Sequence, residues 1–109
     1  MVGINFEREL RDILREDGWV VFRSAGSFVC DLIALRPNES RIIEVKSTKN
    51  DRFYTSSDKK QYDTLNAFAV NGFNVYYYVR WKGVREDKWS KWKLPIESIN
   101  SYPVFRREE

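Results

Sequence analysis

The stretch from residue 29 to residue 46 constrains the fold of this chain more than any other. Two apolar, β-branched runs, Val29-Cys30-Asp31-Leu32-Ile33-Ala34-Leu35-Arg36 and Arg41-Ile42-Ile43-Glu44-Val45-Lys46, flank the turn-forming cluster Pro37-Asn38-Glu39-Ser40. Such a pattern predicts an antiparallel hairpin. With Arg36 opposite Arg41, Ile33 faces Glu44 and Asp31 faces Lys46. Side chains alternate with period two, so Asp31, Ile33 and Leu35 share a face with Lys46, Glu44 and Ile42. Asp31 and Glu44 become diagonal neighbours, with Cα atoms roughly 7–8 Å apart. A slip of one residue would send Asp31 to the other face, so the expectation is sensitive to register.

Charges embedded in apolar strands need partners or a metal, because burying them unpaired is costly. Two carboxylates on one face suit a hard cation. Asp31 and Glu44 are the candidate ligands, and the Val45 backbone carbonyl, leaving the strand between them, is a third. All-oxygen ligation points to Mg²⁺, with no soft ligand in the set. Lys46, two residues beyond Glu44 on the same face, is placed to orient an attacking water and to stabilise negative charge; as a base it would need a lowered pKa. These are the requirements of metal-dependent phosphodiester hydrolysis. An isolated E-x-K is common on solvated sheet faces, and Asp31 on the same face is what raises this one above that background.

Composition narrows the chemistry. The 109 residues, 42% of them hydrophobic, suffice for one compact domain spanning residues 1–109. The chain has no histidine, which removes His-ligated zinc, Ser-His-Asp and Cys-His sites, and nucleases with a histidine base. Its single cysteine, Cys30, has no partner for an internal disulfide. No signal segment or long apolar run is present, which predicts an intracellular, cytoplasmic protein with no membrane association. The net charge of +3 is modest, so a nucleic-acid footprint must be local. Aromatic residues make up 16%, enough to fill a small core and to leave some for an interface or a base-stacking surface.

Phe6, Leu10, Ile13 and Leu14 recur at helical spacing, predicting a helix over residues 5–17 with Asn5 as its cap and Gly18 as its stop. Glu7 falls about 20° from Leu14 in projection and looks inward. A strand over residues 19–23 leads through Ser24-Ala25-Gly26-Ser27 into the Asp31 strand. Residues 47–57 read as a mobile loop over the site. Ser57 or Asp58 caps a second helix ending at Asn71-Gly72, with Gln61 on the apolar face formed by Leu65, Phe68 and Ala69. Residues 73–81 and 88–94 read as strands, residues 95–101 as a last helical turn, and residues 106–109 as a frayed tail. The order α-β-β-β-α-β-β gives an α/β fold with a mixed sheet flanked by helices. Glu7 could complete a second metal shell, and Gln61 could support the site from its helix. Arg23, Ser24 and Ser27 are candidate phosphate contacts, and Lys49, Arg52, Lys59 and Lys60 are either solvated charges or a DNA backbone surface.

Four segments in order, Phe6-Glu7-Arg8-Glu9-Leu10, Arg23-Ser24-Ala25-Gly26-Ser27, Asp31-Leu32-Ile33-Ala34 and Ile43-Glu44-Val45-Lys46, resemble the archaeal Holliday junction resolvase family of the PD-(D/E)xK nuclease superfamily. The resemblance spans roughly the first 70 residues. It implies a restriction-endonuclease-like fold, with Glu7, Asp31, Glu44 and Lys46 as the catalytic set and Arg8, Arg23 and Ser27 contacting or supporting the substrate. It also implies Mg²⁺ or Mn²⁺ dependence, a homodimer, and paired symmetric nicks in a four-way DNA junction, in an archaeal or viral-host cell. Cys30 stands where the superfamily name expects proline, and the Trp-rich final third does not align. The second helix with Phe68 and the Tyr76-Tyr77-Tyr78 strand are candidate interface elements, with ordinary core packing as the alternative. Rival functions are a nuclease acting on flaps, nicked, damaged or foreign duplex, a noncatalytic DNA-binding module, and an aromatic-rich interaction domain.

Overall fold

The computed structural model describes residues 2–24, 30–83, 88–96 and 102–107. In chain order the elements are α1 (Val2–Glu16), β1 (Val20–Arg23), β2 (Leu32–Arg36), β3 (Glu39–Thr48), β4 (Arg52–Tyr54), a 3₁₀ turn (Thr55–Asp58), α2 (Lys59–Val70), β5 (Val75–Trp81), β6 (Lys88–Leu94) and β7 (Val104–Arg106). Five strands form one mixed sheet in the order β1-β2-β3-β5-β6, and β4 pairs with β7 in a second, two-stranded sheet. Only β3 and β5 run parallel, which requires a crossover, and α2 lies in it. The expected α-β-β-β-α-β-β order is present, with β4 and β7 added to it.

Leu10 and Leu14 carry the α1 stripe into the core. The helix starts at Val2, so Asn5 lies within it and not at its cap; no proline interrupts Val2-Gly3-Ile4. Gly18, at φ +88°, ends it as expected: its N–H donates to the Arg15 carbonyl and the Trp19 N–H to the Leu14 carbonyl, both orphans of the last turn. Asp58 caps α2, its carboxylate accepting from the Gln61 N–H at 3.1 Å.

The hairpin register differs from expectation by two residues. Arg36 pairs with Glu39 and Arg41 with Ala34, because the turn contracts to Pro37-Asn38, with Asn38 at φ 64°. Proline followed by a positive-φ residue suits a type II turn. Pairing Arg36 with Glu39 also avoids the like-charge pair that Arg36 opposite Arg41 would have created. A shift of two keeps each side chain on its expected face.

The sheet is covered on both sides, unequally. Under α1 lie Trp19, Val21, Leu32, Ala34, Ile43 and Tyr78. Under α2, whose Leu65 enters the core, lie Val75, Tyr77, Val79, Trp81 and Leu94, together with Phe105 of β7. Tyr77 and Tyr78 are therefore core residues of the inner strand β5, in line with the core-packing alternative for that strand, and Tyr76 is half-buried. Of the tail read as frayed, Arg106 belongs to β7 and the Arg107 N–H donates to the Asp51 carbonyl at 2.9 Å, whereas residues 108–109 lie outside the described residues; just before it, Phe105 stacks on Trp92 at 4.4 Å with the rings 6° from parallel, and β7 binds β4. β4 and the 3₁₀ turn replace much of the expected mobile loop. Of the expected helical turn at 95–101, residues 97–101 lie outside the described residues, and Pro95 and Ile96 are not helical. The α2 side of β1 and β2 is uncovered. Val20 pairs with Leu35 and Phe22 with Ile33 there, and the four side chains keep 58%, 38%, 54% and 36% of their surface exposed. Among the described residues no helix is long and apolar enough to cross a membrane.

Leu65 is fully buried where α2 meets the sheet. Leu65→Ala is expected to cost about 2–5 kcal/mol in urea unfolding, as large-to-small changes in close-packed cores do. A loss below about 1 kcal/mol would contradict this packing.

Candidate active site

The site is built where β2 gives out. The strand begins at Leu32, and Asp31 bends away from it: its N–H donates to the Ile43 carbonyl at 3.0 Å, on the same residue that Leu32 faces. The next inward N–H of β3, that of Val45, then has no β2 carbonyl to meet. The Asp31 carboxylate takes that place, its Oδ2 accepting from the Val45 N–H at 2.8 Å. Asp31 is thus not a regular strand residue beside Ile33, as the pattern suggested, but a side chain standing in for backbone.

Glu44 lies on the α2 side of β3 with 3% of its surface exposed. Its Oε2 receives the Lys46 ammonium at 3.1 Å and the Gln61 Nε2 at 2.7 Å. Burial, and then the Asp31 carboxylate beside it, push its pKa up to about 8, against the pull of Lys46. Glu7 reaches the same cluster from α1. Burial and a hydrogen-bonding contact with Asp31 hold its pKa above the usual value, while Arg23, whose Nε donates to Glu7 Oε2 at 3.1 Å, opposes them. Asp31, Glu7, Glu44, Lys46, Arg23 and Gln61 therefore converge as expected.

The other candidates are more dispersed. Ser24 flanks the site: its N–H donates to the Asp31 carbonyl at 2.9 Å, and its side chain hydrogen-bonds Cys30, partly offsetting the upward push of burial and the two acids on the thiol. Arg8, Lys49, Arg52 and Lys60 are exposed. The Lys59 ammonium, also exposed, sits 5.3 Å from the centre of the Tyr102 ring. Ser27 lies outside the described residues. What the sequence did not reveal is a clamp behind Glu7. Glu9 of α1 accepts from Arg80 Nε at 3.1 Å and from Trp89 Nε1 at 3.3 Å, fixing the helix to β5 and β6. The signal was present as an arginine inside the apolar run Tyr76-Tyr77-Tyr78-Val79-Arg80-Trp81.

The donor set fits a hard divalent cation. Among the described residues no three His, Cys, Asp or Glu side chains form a ready cage, but Mg²⁺ needs only one or two carboxylates because it retains waters. Asp31 and Glu44 supply those, and the Asp31 carboxylate raises the cost of ionising Glu44 until positive charge enters. The Val45 N–H is turned toward Asp31, and in an extended strand the same residue's carbonyl leaves on the same edge.

A five-stranded mixed sheet between two helices, with Asp31 at the broken end of one strand and Glu44-Val45-Lys46 on its neighbour, defines a restriction-endonuclease-like α/β domain. Comparison with known proteins narrows that class. The profile of the archaeal Holliday junction resolvase (Hjc) family matches residues 1–101, and the chain belongs to that family. The crossover junction endodeoxyribonuclease Hjc of Methanocaldococcus jannaschii is 38% identical over 82 residues, 74% of this chain and 60% of that protein. The crystal structure of the Holliday junction resolvase Hjc of Archaeoglobus fulgidus is similar with a TM-score of 0.74 and 25% identity, over 97% of this chain and 84% of that one.

The raised Glu44 pKa has a direct consequence for stability. Between 4.5, its ordinary value, and about 8, the folded chain holds a proton that the unfolded chain releases. Stability without divalent ions therefore falls as pH rises through that window, and this contribution is fully present only below it. Melting temperatures in EDTA, measured from pH 5 to pH 8, should decline, and Glu44→Gln should flatten the decline. An equal slope in the variant would refute the assignment.

Proposed function

We propose that this chain is a structure-selective DNA endonuclease that resolves four-way (Holliday) junctions by metal-dependent phosphodiester hydrolysis, working as a homodimer that makes paired symmetric nicks. The reading takes the 109 residues as one nuclease domain acting in the cytoplasm. The observation that carries it is the meeting of Asp31, Glu44 and Lys46, with the ammonium 3.1 Å from a carboxylate that burial makes hard to ionise. The names of the relatives supply the substrate class.

Asp31 and Glu44 would hold the cation, Mg²⁺ or in its place Mn²⁺, with the Val45 carbonyl and Glu7 as further oxygen donors. The ion would supply positive charge to the scissile phosphate and make water a stronger nucleophile near neutral pH. Lys46 holds its positive charge beside the cluster, positioned to orient the attacking water and to offset charge that builds on the phosphate. Arg23, paired with Glu7, brings a second cation to the same rim. Arg8, Ser24, Ser27, Lys49, Arg52, Lys59 and Lys60 would bear on the DNA backbone, where charge fixes position and not sequence.

A junction needs two symmetry-related cuts, and one chain carries one site, so a twofold pair suits the task. The bare apolar face of β1 and β2 supports this. Val20, Phe22, Ile33 and Leu35 form a contiguous exposed patch of the kind that marks an association surface. Phe68, exposed on α2 and packed edge-on against Phe73 at 5.8 Å, adds to the exposed apolar surface.

Asp31→Asn is expected to lower cleavage of a labelled immobile junction more than about a hundredfold, beyond the usual effect of losing an outer-shell partner, while junction binding in EDTA changes little. Substantial cleavage by the variant, or cutting of duplex arms alone by the wild type, sinks the reading. Phe22→Glu, placing charge in the apolar patch, should yield monomers in sedimentation and unpaired nicks. A dimeric Phe22→Glu protein would remove β1 and β2 from the interface.

A further inference from the structure

Gln61 engages the site with only half of its amide. Its Nε2 donates to Glu44 Oε2 at 2.7 Å, whereas its Oε1 is buried without a hydrogen-bond partner among the described residues. Buried acceptors in native proteins are almost always paired, so an orphan beside a cluster of acids asks for a donor. The reverse orientation of the amide would press Oε1 against the Glu44 carboxylate and is disfavoured whenever that group is ionised. Nor is Gln61 free to turn away. Its backbone N–H is held by Asp58 at 3.1 Å, and Leu65, one turn further along α2, is fully buried and locks the helix register. The Lys46 ammonium contacts the same Glu44 oxygen that Gln61 already serves.

We infer that Gln61 is a positioning residue of the ion site: Nε2 fixes the Glu44 carboxylate, and Oε1 accepts a hydrogen bond from a water in the hydration shell of the divalent cation. The inference rests on the metal-dependent reading above. Mg²⁺ and Mn²⁺ in sites with few carboxylates retain water molecules, whose O–H groups are the donors Oε1 needs. A side chain that orients both a ligand and the shell acts on affinity for the ion without touching it. It also accounts for the residue type, because glutamate would set another charge against Glu44 and leucine would offer neither donor nor acceptor.

The test is Mn²⁺ binding to the full chain without DNA, followed by electron paramagnetic resonance of the free ion, alongside melting temperatures in EDTA. Gln61→Met, close in shape but with neither group, is expected to weaken Mn²⁺ binding by about 10–100-fold, the range for outer-shell partners, with the metal-free melting temperature little changed. Mn²⁺ affinity of Gln61→Met within twofold of wild type overturns the inference while leaving the metal reading intact. A wild-type chain that binds no Mn²⁺ overturns both.

Discussion

The hydrogen bond from the Val45 N–H to the Asp31 carboxylate is the contact on which the site depends. A β-ladder normally fills every inward N–H of a strand with a neighbour's carbonyl. Here β2 ends one residue too soon, and a side chain completes the ladder. The substitution pins Asp31 beside Glu44 just where the acids meet. Because the partner is backbone, the anchor survives changes in the side chain at position 45. It needs an acceptor at position 31, and it leaves that residue's other carboxylate oxygen for other work.

Around this anchor the charges are balanced in a way that favours an added cation. Three acids, Glu7, Asp31 and Glu44, face two cations, Arg23 and Lys46, and burial penalises the negative forms. Glu7 and Glu44 respond by holding protons more tightly than usual. That response is reversible, and a divalent ion would compete with protons for the same oxygens. Position matters as much as charge. Glu7 arrives on α1, which Glu9 ties to Arg80 and Trp89, so two strands remote in sequence set the height of an acid at the site.

The sequence made local periodicity legible and long-range compensation obscure. The stripe of Leu10 and Leu14, the Asp58 cap and the alternation in β3 placed Glu7, Gln61, Glu44 and Lys46 on the correct faces. Parity explains why: a two-residue register error moves partners but not faces. The hairpin itself was misjudged because Pro37-Asn38 forms the turn alone, which only the left-handed backbone at Asn38 reveals. The bend at Asp31 had no pattern to announce it. β4 and β7 escaped for a different reason, since three-residue strands carry too few side chains for a period, and their stability comes from the Phe53, Phe105 and Trp92 stack assembled across the chain.

The uneven cover of the sheet puts an acid of the cluster and part of the bare apolar face on one strand. α2 lies over β3, β5 and β6, where Gln61 can reach Glu44, and in doing so it leaves β1 and β2 bare on that side. The same strand β2 presents Ile33 and Leu35 on the bare face and ends at Asp31. Only Leu32 separates Asp31 from the first exposed apolar side chain, Ile33. A second copy resting on this face would therefore bear on the strand that aims Asp31, with no hinge or linker between them. Close-packed elements transmit displacement and do not absorb it, so the spacing of two such sites would be set by the sheet itself.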